Sequence, residues 1–264
     1  MVSNTLFVGD KMIIFNTDLD NTLIYSYKHD IGTDKLMVEL YQGREISFVT
    51  KETSRLLKEL NELALIVPTT TRSIEQYERI DLGLGTPQYA LVCNGGVLLK
   101  DGQRDADWYK ESLEVIKDCD EVMAAARDLL ENEPARYFEV RFIENLFLFT
   151  KCKEPEDVIK KLAVHLNSDM VDVFNNGDKV YVVPKSLSKG NAINRLRDKL
   201  NPKKVIAAGD SEFDISMVVA ADVGFVPKDF KVKYNVTEES VLEVEGNRLF
   251  SEEMLSMLIS EVRK

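Results

Sequence analysis

Apolar positions along this chain come in two rhythms, short runs of four or five and longer stretches with a three-to-four residue spacing, which are the signatures of buried strands and amphipathic helices. The first run, residues 12–15, leads into Asn16-Thr17-Asp18-Leu19-Asp20. Residues 50–63 have helical spacing, and the apolar run that follows closes on Thr69, Thr70, Thr71 and Arg72. Ser73 with Gln76 three positions later is then a capping-box signature for a helix start. Residues 89–93 read as another strand. Between the first strand and the first helix, residues 36–41 and 44–49 flank Gln42-Gly43, which predicts an additional hairpin.

Past Asn94-Gly95-Gly96 and Asp101-Gly102 the rhythm changes. It predicts a helix over 113–131, strands over 137–144 and 146–151, a helix over 156–166, and strands over 171–174 and 179–183 turning at Asn175-Asn176-Gly177. One helix and two strands thus occur twice. Phe138, Val140 and Phe142 alternate with Glu139 and Arg141, so the apolar set is expected to pack under the helices while Glu139 and Arg141 face the other way. Next, Ser188-Lys189-Gly190-Asn191 opens an amphipathic helix with Ile193, Leu196 and Leu200 on its apolar face. A last apolar run, 205–208, passes through Gly209 to Asp210 and Asp214. Strands alternating with helices at both ends predict an α/β fold with a parallel sheet and chemistry at the carboxyl ends of its strands. The expected division is a core domain of residues 1–100 and 185–264, with a smaller α+β domain of order αββαββ inserted at 101–184.

The polar residues ending these runs are the candidate chemistry. Alternation along an extended backbone points Asp18 and Asp20 to one side, where two anions repel unless a cation or a shared proton relieves them. A calcium loop is excluded, because Leu23 stands where an EF-hand needs glycine and no glutamate follows at the required spacing. Lys189 opens a helix, where the dipole gives a cation no reward. His29 and His165 lie outside all these segments, so a histidine nucleophile or histidine metal site is not indicated.

Composition narrows the class. The 264 residues are 44% apolar and carry a net charge of −11, enough to bury a substantial core and wrong in sign for a nucleic-acid partner. Cys93, Cys119 and Cys152 are odd in number and without metal-type spacing, as expected of reduced thiols. No charged-then-apolar leader and no run near about 18 apolar residues is seen, so neither secretion nor a membrane span is expected and a cytoplasmic protein is.

The four ordered segments resemble the haloacid dehalogenase (HAD) superfamily of aspartate-nucleophile phosphatases, over nearly the whole chain from about Lys11 to Pro227. The resemblance implies Asp18 as nucleophile, Asp20 as general acid and base, Thr70 and Lys189 as phosphate-binding groups, and Asp210 and Asp214 as the acidic pair of the last motif. It also implies Mg2+ held by Asp18, the backbone carbonyl of Asp20 and the Asp210–Asp214 pair. The insert is similar to the C2B cap of the Cof-type branch, and its repeated unit resembles the caps of sucrose-phosphate and mannosylglycerate-phosphate phosphatases and of phosphomannomutase. A Rossmann-like HAD core with such a cap implies a Mg2+-dependent phosphatase of small phosphorylated metabolites, sugar phosphates in particular, acting as monomer or homodimer. Arg72, Glu139 and Arg141 are the candidate substrate contacts. A phosphomutase and a regulatory phosphate-binding protein with weakened catalysis are the competing readings. Departures from the family pattern are Phe213 where relatives commonly carry Asn, Asn21 where Gly is frequent, Thr71 where many read Gly, and the 25–49 insertion, which overhangs the site or forms a dimer edge.

Overall fold

The computed structural model describes residues 12–263, so the first eleven residues and Lys264 of the expected core domain lie outside the described residues. The chain folds as two compact units, one of Asp105–Ser188 and one of the segments before and after it.

In the larger unit, five parallel strands form one sheet in the order Val241–Glu243, Val223–Val226, Lys204–Ala208, Ile13–Thr17, Leu65–Pro68. Thr17 pairs in register with Ala208 on one side and with Pro68 on the other. The residues directly after these three strands therefore emerge side by side at one sheet edge. The core around Phe15, Leu57, Ile206, Phe225 and Leu258 is fully buried. The helix predicted over 50–63 runs from Lys51 to Asn61. Thr50 ends the preceding strand and caps the helix, its Oγ1 accepting from Thr53 N, a contact worth about 1 kcal/mol.

The inserted hairpin is present as Lys35–Tyr41 and Arg44–Thr50, with Tyr25–Ser26 as a third strand. Gln42 and Gly43 both have positive φ, the turn that matches strand twist. Register shifts on either side of Glu39 form a bulge, and it turns two consecutive residues, Val38 and Glu39, inward. The strand expected over 89–93 is Tyr89–Val92, in a separate small antiparallel sheet with Val97–Lys100 and Gln103–Arg104.

The smaller unit is α+β. Its four strands lie in the order Val171–Asn176, Lys179–Pro184, Phe147–Lys151, Arg141–Ile143, and helices Asp120–Glu131 and Pro155–His165 supply Met123, Leu130, Val158 and Leu162 to a core over one face. Several expectations are corrected here. The single helix over 113–131 is two, Ala106–Ile116 and Asp120–Glu131, with a 3-10 turn between them. Asp105 is the first helix's cap, accepting from Trp108 N. Only Arg141–Ile143 of the strand over 137–144 pairs. Of the three apolar residues expected under the helices, Val140 packs there, Phe142 is 39% exposed, and Phe138 meets Phe149 in an aromatic row with Tyr181 and Phe174. Asn175 and Asn176 end a strand, and the turn falls on Gly177 and Asp178.

Candidate active site

Asp18 follows the Ile13–Thr17 strand, Asp210 follows Lys204–Ala208, and Lys189 is the first residue of the helix Lys189–Leu200. The backbone joins the two strand ends directly, since Asp18 N donates to Ala208 O at 2.9 Å. Beyond Asp18 the chain makes one tight turn in which Leu19, Leu23 and Ile24 are fully buried anchors, closed by Leu23 N and Ile24 N donating to Leu19 O. Asn21 sits there at φ 59°, a left-handed position that asparagine tolerates nearly as well as glycine.

Lys189 is 1% exposed, and its Nζ donates to Asp18 Oδ1 and to Asp214 Oδ1, each at 2.6 Å. The other oxygen of Asp214 accepts from Asp210 N, Ser211 N and Ser211 Oγ. Asp214 thus organises the loop that presents Asp210. Gly209 is required by the same packing, because a Cβ there would lie 2.2 Å from Asp214 Cβ. Thr22 Oγ1 donates to Asp210 Oδ1 at 3.2 Å.

One buried lysine faces three carboxylates, and the imbalance shows in their proton affinities. Burial pushes the Asp18 carboxyl well above the usual range, and the charges of Asp214, Asp210 and Asp20 add to it against the pull of Lys189. Asp210 is raised to about 7, again chiefly by burial and then by the charge of Asp214. Lys189 moves upward too; burial alone would lower it, but the two carboxylates it bridges overcome that. Ligand atoms of Asp18, Asp210 and Asp214 lie within 4.8 Å of one another. The residues fit a hard divalent cation: they are all oxygen donors, they carry excess negative charge, and among the described residues Asp18 Oδ2 and Asp210 Oδ2 accept no hydrogen bond that would keep them from it. Asp214, with both oxygens engaged, is the least available of the three.

Asp20 differs from Asp18 in exposure and in partner. Its side chain is half exposed and forms a two-pronged pair with Arg72, Nε and Nη2 each donating at 2.7 Å. Arg72 is therefore a mostly buried, ion-paired residue and not a solvated helix-start one. Its remaining donors go to Glu39 and to Gln76 O. Glu39 also takes Ser47 Oγ and Arg79 Nε; burial would raise its carboxyl, but the Arg72 and Ser47 hydrogen bonds and the two guanidinium charges hold it below the usual range. Sequence reasoning passed over Glu39, although an acid inside the run Met37-Val38-Glu39-Leu40-Tyr41 was a visible signal.

Thr70 is fully buried after the Leu65–Pro68 strand, its Oγ1 accepting from Arg72 N. The predicted capping box at Ser73 and Gln76 forms, but the helix it opens is only Ile74–Tyr77. Phe213 is half buried in the short turn Glu212–Asp214. In the smaller unit, Glu139 and Arg141 are both exposed and pair with each other, Arg141 stacking over Phe138.

Comparison with known proteins locates this arrangement. Residues 11–239 match the family model described as sucrose-6F-phosphate phosphohydrolase. Among solved structures, the sucrose-phosphatase of Synechocystis sp. PCC6803, in complex with sucrose and phosphate, is similar with a TM-score of 0.68 at 16% identity, covering 96% of this chain and 98% of that one. A HAD superfamily phosphatase from Bacteroides thetaiotaomicron has a TM-score of 0.55 at 15% identity, over 100% and 98%. A protein from Geobacillus kaustophilus HTA426 has 0.60 at 16%, over 93% and 98%. At these identities the likeness is one of fold. No curated protein matches the chain in sequence.

Proposed function

Since the chain belongs to the sucrose-6F-phosphate phosphohydrolase family of HAD phosphatases, we propose that it hydrolyses a sugar phosphate through a phosphoryl group carried on Asp18, with Mg2+ as the cation. The observation that carries this reading is Lys189, fully buried between Asp18 and Asp214 and beside Asp210, at the carboxyl ends of adjacent parallel strands. Such a cluster suits an anionic nucleophile that must approach an anionic phosphoryl group. Held by Asp18, Asp210 and the backbone carbonyl of Asp20, Mg2+ supplies charge neutralisation for that approach.

In the first step an Asp18 carboxylate oxygen bonds to phosphorus as the ester P–O bond breaks, and Asp20 gives its proton to the departing sugar oxygen. In the second, Asp20, now ionised, takes a proton from the water that attacks the acyl phosphate, freeing Asp18 and inorganic phosphate. Lys189 balances the charge of Asp18 and of the transferred group, and the Thr70 hydroxyl hydrogen-bonds a phosphoryl oxygen. Asp214 holds Lys189 and the Asp210 loop in place. Glu139 and Arg141 are the side chains to which the reading assigns sugar selection. The description of the matching family as a phosphohydrolase supports hydrolysis over transfer back to sugar.

The test is turnover of a panel of sugar phosphates, with an aryl phosphate as a general reporter, by wild type and Asp18→Asn. The variant removes the attacking anion at nearly constant volume, so activity should fall by several orders of magnitude while circular dichroism is unchanged. Near-wild-type activity in Asp18→Asn would exclude the covalent route, and dependence on a sugar bisphosphate activator would favour a mutase.

A further inference from the structure

Glu39 is an anomaly for a hairpin on the outside of a sheet, since it is 1% exposed and its strand partner register breaks on both sides of it. The bulge is the cause: an unbroken strand would bury Val38 or Glu39, not both. Inside, the carboxylate accepts four hydrogen bonds, from Arg72 Nη1 and Arg79 Nε on Oε1 and from Ser47 Oγ and Arg72 Nη2 on Oε2, which fills its capacity.

Arg72 is equally saturated. Nε and one Nη2 hydrogen go to Asp20, the other Nη2 hydrogen and one on Nη1 go to Glu39, and the last goes to Gln76 O at 3.3 Å. The guanidinium is thus gripped along two edges by two carboxylates of opposite character. Glu39 is buried and cannot move without abandoning two arginines, whereas Asp20 is half exposed and belongs to the site. An arginine paired to Asp20 alone would follow that side chain through its rotamers. One pinned to Glu39 cannot.

We propose that Glu39 is a positioning residue: acting through the planar fork of Arg72, it fixes where the Asp20 carboxylate stands, and the bulged hairpin is the element that delivers it. The inference rests on the role given to Asp20 above and gives the inserted hairpin a task. Arginine is required, because an ammonium group has no second edge with which to bridge two carboxylates. A proton donor displaced by about 1 Å loses on the order of a hundredfold in rate without loss of substrate binding, so the clamp acts on kcat.

The experiment uses the full chain with 4-nitrophenyl phosphate and Mg2+, comparing wild type, Glu39→Ala, Glu39→Gln and Arg72→Lys, together with the Nε–H resonance of Arg72 in 15N-arginine-labelled protein. Glu39→Ala should lower kcat by about ten- to a hundredfold with KM nearly unchanged. Glu39→Gln keeps an acceptor oxygen for one guanidinium edge and should recover much of the loss, and Arg72→Lys should resemble Glu39→Ala. The Arg72 Nε–H, slow to exchange with solvent in wild type, should exchange rapidly in Glu39→Ala. Unchanged kcat in both Glu39 variants, or an effect confined to KM, would overturn the proposal. If Glu39→Ala does not fold, Glu39→Met, which removes both acceptor oxygens at similar volume, decides by the same two readouts. Should wild type turn over no phosphate ester, the functional reading fails by itself, and the resonance still decides the clamp: protection lost on substituting Glu39 supports it, and protection retained refutes it.

Discussion

Lys189 and Asp214 illustrate how far single side chains govern this site. Neither is within reach of solvent, so each depends wholly on its protein partners for the free energy lost on leaving water. Asp214→Ala removes one partner of the lysine and all the acceptors of Asp210 N, Ser211 N and Ser211 Oγ. It should cost about 3–5 kcal/mol, read as a lower urea midpoint, and abolish turnover by releasing Lys189 and the Asp210 loop. A variant of wild-type stability would mean that water fills the vacated site. The sequence places Asp18, Lys189, Asp210 and Asp214 at the ends of recognisable elements. It does not reveal that Asp214 has spent both oxygens, because that depends on the conformation of a four-residue loop.

At the scale of elements, close approach is set by glycine. The helix Lys189–Leu200 lies against Ile215–Ala220 so tightly that a Cβ on Gly190 would stand 2.4 Å from Ser216 O, a backbone atom that cannot swing aside. Gly190→Ala should therefore push the helix outward, cost about 1–3 kcal/mol as an overpacking change, and carry Lys189 with it. The expected signature is a lower melting temperature with a disproportionate fall in kcat, and activity that tracks stability alone would argue against displacement of the lysine. Elsewhere the pattern of the chain hides what the elements do. The inward residues Ile116, Cys119, Met123, Ala126 and Leu130 keep helical spacing straight through the 3-10 turn at Lys117–Cys119, so periodicity shows one helix where there are two. The bulge at Glu39 is similarly silent, because hydrophobic alternation specifies faces only while the register is regular.

For the whole molecule, the balance of charge couples proton, metal and stability. With Asp210 titrating near about 7 in the metal-free protein, the folded state binds a proton that the unfolded chain has released between the ordinary carboxylate range and neutrality. Stability from this group is thus full at low pH and is lost as pH rises through about 7. Binding of Mg2+ must displace that proton below pH 7 and need not above it. The rise in melting temperature on adding Mg2+ should accordingly be larger at pH 8 than at pH 6, and equal shifts at the two pH values would exclude proton-linked binding at Asp210. No helix among the described residues is long and apolar enough to cross a membrane. The amino-acid sequence alone determined three of the five strands of the parallel sheet, Ile13–Thr17, Leu65–Pro68 and Lys204–Ala208, and the carboxylates and lysine near their ends, since each is encoded by periodicity or by neighbours within a few positions. Only the tertiary structure decided that Asp20 belongs to Arg72 across 52 positions and Arg72 to Glu39 across 33. Ion pairs at such separations follow from how the elements pack, and a pattern along the chain carries no record of which charges that packing will bring into contact.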